Sequence, residues 1–91
     1  MPRVASDAAK HVGQRIAATR QLAGLTQDQL AVASNVDSSN VRAYESGRAM
    51  PSIRLLVRIS AALGVAAGDL LEGLTPEVFG DSVDTVQRRA G

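Results

Sequence analysis

The sequence predicts an all-α fold, a compact bundle of short helices, on the basis of three observations. Residues 24–31 and 36–47 have the pattern of two short helices joined by a tight turn. Apolar residues in the flanking segments recur three and four positions apart, which is the spacing of one helix face. Aromatic residues make up only 2% of the chain, so the core must consist of Leu, Ile, Val and Ala. A chain of 91 residues is long enough for one such core.

Residues 8–73 are expected to form this domain, after a mobile arm of residues 1–7. Ser6 or Asp7 should begin the first helix and Gly24 should end it. Val12 and Ile16 lie four positions apart and therefore share the buried face of that helix.

The central pair of helices carries its own start and stop signals. Thr26 can cap the first helix of the pair, and Gln29 lies where a capping box places Glu or Gln. Asn35 is suited to the left-handed conformation at the end of that helix. Asp37 should cap the second helix, and Gly47 should end it. The expected buried residues of the pair are Leu30, Ala31, Val36, Val41 and Tyr44.

A fourth helix should begin after Pro51 and Ser52, and Gly64 should end it. Leu55 should then face outward, where a lone exposed leucine is common. The residues expected to form the core stripe of this helix are Ile53, Leu56, Ile59 and Leu63.

The tail, residues 74–91, could form one extra C-terminal helix. Thr75 and Pro76 make a good helix start, although Gly80 weakens a helix by about 1 kcal/mol relative to Ala. An apolar stripe at i, i+4 and i+7 would need to be buried against its own domain or a partner chain. We expect either a helix that packs at a dimer interface or a partly disordered tail. The stripe consists of Phe79, Val83 and Val86.

Composition excludes several kinds of site. The chain has no cysteine, which rules out disulfides, thiolate metal sites and a catalytic thiol. His11 is the only histidine, and the nine acids show no paired catalytic spacing. We therefore expect no enzyme activity, no metal, no cofactor and no small-molecule ligand. No stretch approaches the roughly 18 apolar residues of a membrane helix, so we expect no membrane association and take the cytoplasm as the default location.

The charge is unevenly distributed. Residues 1–64 carry eight Lys or Arg against four acids, which gives +4, and residues 65–91 carry two Arg against five acids, which gives −3. A basic body with an acidic tail suits a nucleic-acid-binding domain, although the magnitude is small.

Two helices joined by a tight turn commonly place the second helix against a DNA duplex. Ser can bond to several base edges, Arg pairs best with guanine, and Ala can touch a thymine methyl group. Gln27, at the start of the first helix of the pair, could contact a phosphate. The residues of the second helix that should face the bases are Ser38, Ser39, Arg42 and Ala43.

Residues 12–71 resemble the phage repressor and Cro type of helix-turn-helix domain, often called the Xre family. The resemblance is carried by Leu25-Thr26-Gln27, Leu30-Ala31, Tyr44-Glu45-Ser46-Gly47, Pro51-Ser52 and Leu63-Gly64-Val65. It implies a five-helix bundle of the lambda-repressor-like type that binds double-stranded operator DNA as a two-fold symmetric homodimer.

The resemblance also implies roles for single residues. Arg20 would pair with Glu45 and lock the first helix to the recognition helix, about residues 38–45. Asn40, on the recognition helix, and Arg54, near the start of the fourth, are further candidates for phosphate contacts by their position. The full set of expected phosphate contacts is Gln27, Asn40, Ser46, Arg48 and Arg54.

The sequence departs from the family pattern in three places. Asn35 stands where Gly is usual, and Asp37 replaces the usual Ser or Thr cap, which brings a negative charge close to phosphate. Ala66 replaces the usual polar cap of the fifth helix, and Gly68 lies inside that helix.

Three functional hypotheses follow. The first is a sequence-specific DNA-binding transcriptional regulator, a repressor, that acts as a dimer on half-sites about 34 Å apart. The second is a protein-interaction module that keeps the fold but has lost DNA binding. The third is the DNA-binding antitoxin of a toxin–antitoxin pair, with the tail bound to the toxin.

Overall fold

The computed structural model describes residues 4–86, and this part of the chain is all-α. A single-turn 3-10 helix, Pro76–Phe79, follows the last α-helix. The five α-helices are α1 (Val4–Leu22), α2 (Gln27–Ser34), α3 (Ser38–Ser46), α4 (Ile53–Leu63) and α5 (Ala67–Leu71).

One core joins these helices, and apart from Tyr44 it is aliphatic, as expected. Most buried residues named from the sequence are in it, and Leu70 of α5 joins them. α3 packs on α1 and α2, while α4 packs on α2 and α5. The largest fully buried side chains are Val12, Ile16, Leu30, Val41, Ile59 and Leu70.

α1 begins earlier than the sequence predicts. The helix includes Val4, so the predicted start at Ser6 or Asp7 is wrong, and residues 4–7 do not belong to an arm. Asp7 lies in the first turn of α1, where a carboxylate is favourable beside the positive end of the helix dipole. Residues 1–3 of the expected arm lie outside the described residues.

Most of the features predicted for α2 and for the turn between α2 and α3 are present in the structure. The Gln29 N–H donates to Thr26 Oγ1 (3.0 Å) and the Thr26 N–H donates to Gln29 Oε1 (2.8 Å), which completes the capping box. Asn35 is left-handed, with φ 57° and ψ 47°. Asp37 lies at the N-cap position of α3 as predicted, but its side chain makes no cap hydrogen bond to the helix, and that part of the prediction is wrong. Its side chain is exposed, where water competes for the carboxylate.

The buried face of α4 is turned relative to the prediction. Ile53, expected in the core, is 73% exposed, whereas Leu55, expected to face outward, is half-buried and packs against the core. At 100° per residue, Ile53 and Leu55 lie on opposite margins of the stripe that Leu56 and Ile59 define. The core covers the Leu55 margin, and sequence spacing alone does not distinguish the two margins.

α5 is tied to α1 by polar contacts. Arg15 Nη2 donates to the Asp69 carbonyl oxygen (2.8 Å), and His11 Nε2 lies 2.6 Å from the Glu72 carbonyl oxygen. In place of a polar cap, the Asp69 side chain accepts a hydrogen bond from the Ala66 N–H (3.2 Å). The departure at Ala66 is therefore compensated three residues further on.

The predicted C-terminal helix is wrong for the described part of the tail. The 3-10 helix ends after one turn at Gly80, whose φ of 85° is left-handed, and residues 81–86 have no regular secondary structure. Thr75 makes no side-chain cap hydrogen bond. Without a cap or a surface to cover the apolar stripe, a short segment does not offset the cost of helix nucleation. Residues 87–91 lie outside the described residues.

Candidate nucleic-acid interface

α3 is held against α1 by a direct approach of the two backbones at Gly13. A Cβ atom at this position would fall 2.9 Å from the Glu45 carbonyl oxygen and still closer to that of Tyr44. Real Cβ atoms essentially never approach another atom so closely. The bare backbone of α1 therefore fixes how deeply the last two turns of α3 sit in the bundle.

A buried ion pair gives the second attachment of α3. Arg20 Nε donates to Glu45 Oε2 (2.7 Å) and Arg20 Nη2 donates to Glu45 Oε1 (2.9 Å), a two-pronged geometry. A third guanidinium nitrogen, Nη1, donates to the Leu25 carbonyl oxygen (2.7 Å). Only 12% of the Arg20 side chain and 6% of the Glu45 side chain is exposed. The hydrogen bonds to Glu45 raise the pKa of Arg20 further above its ordinary value, although burial opposes them.

Gln27 belongs to the same network, which sequence spacing does not predict. Its Nε2 donates to Glu45 Oε1 (2.9 Å), so one carboxylate joins α1, α2 and α3. The amide of Gln27 is therefore already engaged, whereas its backbone N–H lies in the first turn of α2, where helix N–H groups have no partner within the helix.

The expected base-facing residues share one side of α3. Ser39, Asn40 and Arg42 are exposed, and Ser38 and Ala43 are half-buried. Ser46 and Arg48 follow at the end of the helix, where Arg48 Nε donates to Ser46 Oγ (3.0 Å). The structure thus places the expected base contacts on one face of α3, with the expected phosphate contacts Asn40 on the same helix and Ser46 and Arg48 at its C-terminal end.

Arg42 is less free than its exposure suggests. Its Nη2 donates to Asp28 Oδ1 (3.0 Å) across the α2–α3 turn, and both side chains are largely exposed. This ion pair was not predicted, because 14 residues separate its members. A guanine contact by Arg42 would require it to leave Asp28 or to share its donors with that carboxylate.

Arg58 of α4 supports the turn between α2 and α3, and the sequence does not predict this role. Arg58 Nε donates to the Ser34 carbonyl oxygen (3.2 Å), and Nη2 bonds to the Asn35 carbonyl oxygen. A cation at the C-terminus of α2 also interacts favourably with the helix dipole. Neither the periodicity nor any motif distinguishes Arg58 from Arg54, which is exposed in the first turn of the same helix.

Replacing Arg58 with alanine is expected to lower the free energy of unfolding by about 1–2 kcal/mol, because two carbonyl groups at the end of α2 lose their donors. Arg54→Ala is the matched control on the same helix and should change stability by no more than about 0.5 kcal/mol. Urea unfolding followed by circular dichroism measures both. Equal effects of the two substitutions would show that Arg58 does not support the turn.

A shallow hollow lies beside the reading surface, between α2 and the start of α3. Exposed Val32 and the carboxylates of Asp28 and Asp37 lie at this hollow. It therefore combines negative charge with apolar surface at a place close to the expected path of the phosphates.

Within residues 4–86, no group of three or more His, Asp or Glu is placed to hold a metal ion. The helices of this part of the chain also include none with the length and apolar character needed to cross a membrane.

Residues 16–70 match the family model described as Helix-turn-helix. Among solved structures, the restriction-modification controller protein C.AhdI from Aeromonas hydrophila is 31% identical, with a TM-score of 0.67 over 68% of this chain and 94% of that one. The clp gene regulator ClgR from Corynebacterium glutamicum is 32% identical, with a TM-score of 0.66 over 69% of this chain and 67% of that one.

The chain also matches curated relatives over part of their length. Multiprotein-bridging factor 1 from Candida albicans is 43% identical over 54 residues, 59% of this chain and 36% of that protein. Human endothelial differentiation-related factor 1 matches with the same identity and coverage. The match spans little more than a third of the length of these relatives.

Proposed function

Since the chain belongs to the helix-turn-helix family, we propose that it is a sequence-specific regulator of transcription, a repressor, that binds double-stranded DNA as a homodimer. α3 would enter the major groove of one half-site of a two-fold symmetric operator, and a second copy would read the other half-site.

The observation that carries this proposal is the way α3 is presented. The Gly13 contact and the Arg20–Glu45 pair fix the buried side of the helix, while its polar residues remain exposed on the other side. A reading helix needs this combination, since base recognition requires donors and acceptors that are held in place before the DNA arrives. The basic balance of residues 1–64 supports the same reading.

Each expected contact has a proposed chemical role. The Ser hydroxyls and the Arg42 guanidinium would bond to base edges, and Ala43 would touch a thymine methyl group. Because Glu45 already holds the Gln27 amide, we assign the phosphate contact at Gln27 to its backbone N–H. The Ser hydroxyls that would bond to base edges are those of Ser38 and Ser39. The other proposed phosphate contacts are Asn40, Ser46, Arg48 and Arg54.

Selection from a random-sequence duplex pool at two salt concentrations tests the proposal. Enrichment of a two-fold symmetric motif, with retention that falls steeply as salt rises, is the expected result. Retention without a motif would contradict sequence-specific reading, and no retention at low salt would contradict DNA binding altogether.

Substitutions at Ser39 and Arg48 should separate base contacts from phosphate contacts. Ser39→Ala should change the preference at one operator position by about 1 kcal/mol, the contribution of a single hydrogen bond. Arg48→Ala should weaken binding to all sequences alike and reduce the slope of log affinity against log salt by about 1. Fluorescence anisotropy with the selected operator and with single-base variants measures both effects. If the two variants behaved alike, the proposed reading surface on α3 would be wrong.

A protein-binding role is the second candidate, and one specific observation favours it. Asp37 and Val32 give the hollow beside α3 a negative and apolar character that suits a protein surface better than phosphates, whereas Asp28 is paired with Arg42. The name of the Candida albicans relative, multiprotein-bridging factor 1, describes bridging between proteins. Replacing Asp28 and Asp37 with asparagine distinguishes the candidates, because a DNA-binding protein should bind DNA more tightly when these charges are removed.

A further inference from the structure

α4 presents an apolar face that nothing in the described chain covers. Ile53 is 73% exposed and Val57 is 49% exposed, and Ala61 is exposed as well. These residues lie at i, i+4 and i+8 and form one line along the helix, called here the α4 stripe. The bundle packs against the opposite side of α4, through Leu56 and Ile59.

The surroundings of the α4 stripe are basic. α4 contains Arg54 and Arg58 and no acidic residue. Arg58 is directed toward the carbonyl oxygens at the end of α2, whereas Arg54 is exposed and forms no ion pair among residues 4–86. A partner for this face should therefore combine apolar side chains with negative charge.

The tail has this combination. Val83 is 63% exposed and Val86 is 86% exposed, and the segment that contains them has no helix or strand. The exposed carboxylates of Asp81 and Asp84 alternate with these valines. Segment 81–86 thus carries two negative charges and no positive one, and Arg88 and Arg89 follow it outside the described residues.

The two surfaces do not meet within one chain. The 3-10 helix that precedes the segment packs on α1, whereas α4 packs on α2 and α5. Val57 and Val83 both remain largely exposed, so the tail of a chain does not cover its own α4 stripe. A symmetric contact between two α4 helices would offer the exposed Arg54 no acidic partner, because α4 contains no acidic residue.

We propose that segment 81–86 of one chain lies on the α4 stripe of a second copy, and that the exchange is reciprocal. Val83 and Val86 would cover Ile53 and Val57 of the other copy, with the two aspartates beside its arginines. Two-fold symmetry forms this contact twice in each dimer, which enlarges an interface that a six-residue segment alone would leave small. This inference rests on the homodimer of the proposed function and does not depend on DNA binding.

Sedimentation velocity of the full chain without DNA tests the exchange. Two variants are needed, Val57→Asp in the α4 stripe and the double substitution Val83→Asp with Val86→Asp in the tail. Each should raise the dimer dissociation constant by about tenfold or more, because one or two apolar side chains would no longer be buried in the dimer. Leu22→Asp is the control, because Leu22 is an 89% exposed apolar residue at the end of α1 and belongs to neither surface.

Mixing the two variants shows whether the contact forms between chains. The Val57→Asp chain keeps its tail and the tail variant keeps its stripe, so one of the two contacts can form in a heterodimer. The mixture should therefore dimerise more strongly than either variant alone. A tail variant that dimerises like the unmodified protein would overturn the exchange, and so would a mixture no stronger than its components. A monomeric unmodified protein at all accessible concentrations would overturn both the exchange and the proposed homodimer, whereas dimers that fail only in operator selection would overturn the DNA-binding proposal alone.

Discussion

Gly13→Ala is expected to be the most damaging single-methyl change in the chain, with a loss of about 3 kcal/mol or more in the free energy of unfolding. The added Cβ would meet the carbonyl oxygens of Tyr44 and Glu45, and these are backbone atoms that cannot rotate away. α3 would have to move outward as a unit. For a domain of this size the midpoint of thermal unfolding should fall by more than about 10 °C.

Two other glycines provide matched controls for Gly13→Ala. Gly68 is helical with nothing within 4 Å of an added Cβ, so Gly68→Ala should stabilise the protein by up to about 1 kcal/mol. Gly24 also has open space around it, but its φ is 76°, so Gly24→Ala should cost about 1 kcal/mol through backbone strain alone. Differential scanning calorimetry measures the stability of all three variants. Gly68→Ala reports helix propensity, Gly24→Ala reports backbone strain, and Gly13→Ala reports the steric clash between α1 and α3. If the Gly13 variant were as stable as the Gly24 variant, α1 and α3 would not be in backbone contact.

The same displacement should reduce DNA binding in any Gly13→Ala protein that remains folded. α3 carries the proposed base contacts, and a shift of about 1 Å is enough to disrupt hydrogen bonds of this kind. Binding to the selected operator should therefore weaken more than non-specific binding does. Gly68 lies in α5 and not in the reading helix, so Gly68→Ala should leave operator binding and non-specific binding unchanged.

Local signals in the sequence were sufficient for the α2–α3 turn. The members of the capping box, Thr26 and Gln29, are three residues apart, and the left-handed conformation of Asn35 depends on its own backbone preferences. The side chain of Asp37 makes no cap hydrogen bond, although those of the likewise exposed Thr26 and Ser52 do, so residue type and exposure alone do not decide whether a cap forms. The Arg20–Glu45 pair spans 25 residues, and only the family resemblance suggested it.

Contacts between distant segments were not predictable in this way. Three sets of hydrogen bonds depend on how the helices are placed relative to one another. They join Gln27 to Glu45, Arg42 to Asp28, and Arg58 to the end of α2. The tail shows the opposite error, since its apolar stripe predicted a helix. A stripe on a short segment specifies a helix only when a surface covers it.

Breaking the Arg20–Glu45 pair is expected to have the second-largest effect. Glu45→Ala would leave the Arg20 guanidinium buried with two of its donors unpaired and would release Gln27 as well, at a cost of about 3 kcal/mol. A double-mutant cycle with Arg20→Ala should give a coupling energy of about 2–3 kcal/mol, measured by urea unfolding.

The exposed Arg42–Asp28 pair is the control for the Arg20–Glu45 cycle. Its coupling energy should be only about 0.3–0.5 kcal/mol and should disappear in high salt, because water and ions screen both side chains. The buried pair should keep most of its coupling in the same salt. Since the hydrogen bonds to Glu45 raise the pKa of Arg20 above its already high ordinary value, Arg20 is protonated throughout the neutral range, and its contribution is lost only as the pH rises through that raised pKa. The coupling of the buried pair should therefore not change as the pH rises through neutrality. Equal coupling energies for the two pairs would mean that the buried carboxylate does not lock α3 to α1, and the rigid presentation of the reading helix would need another cause.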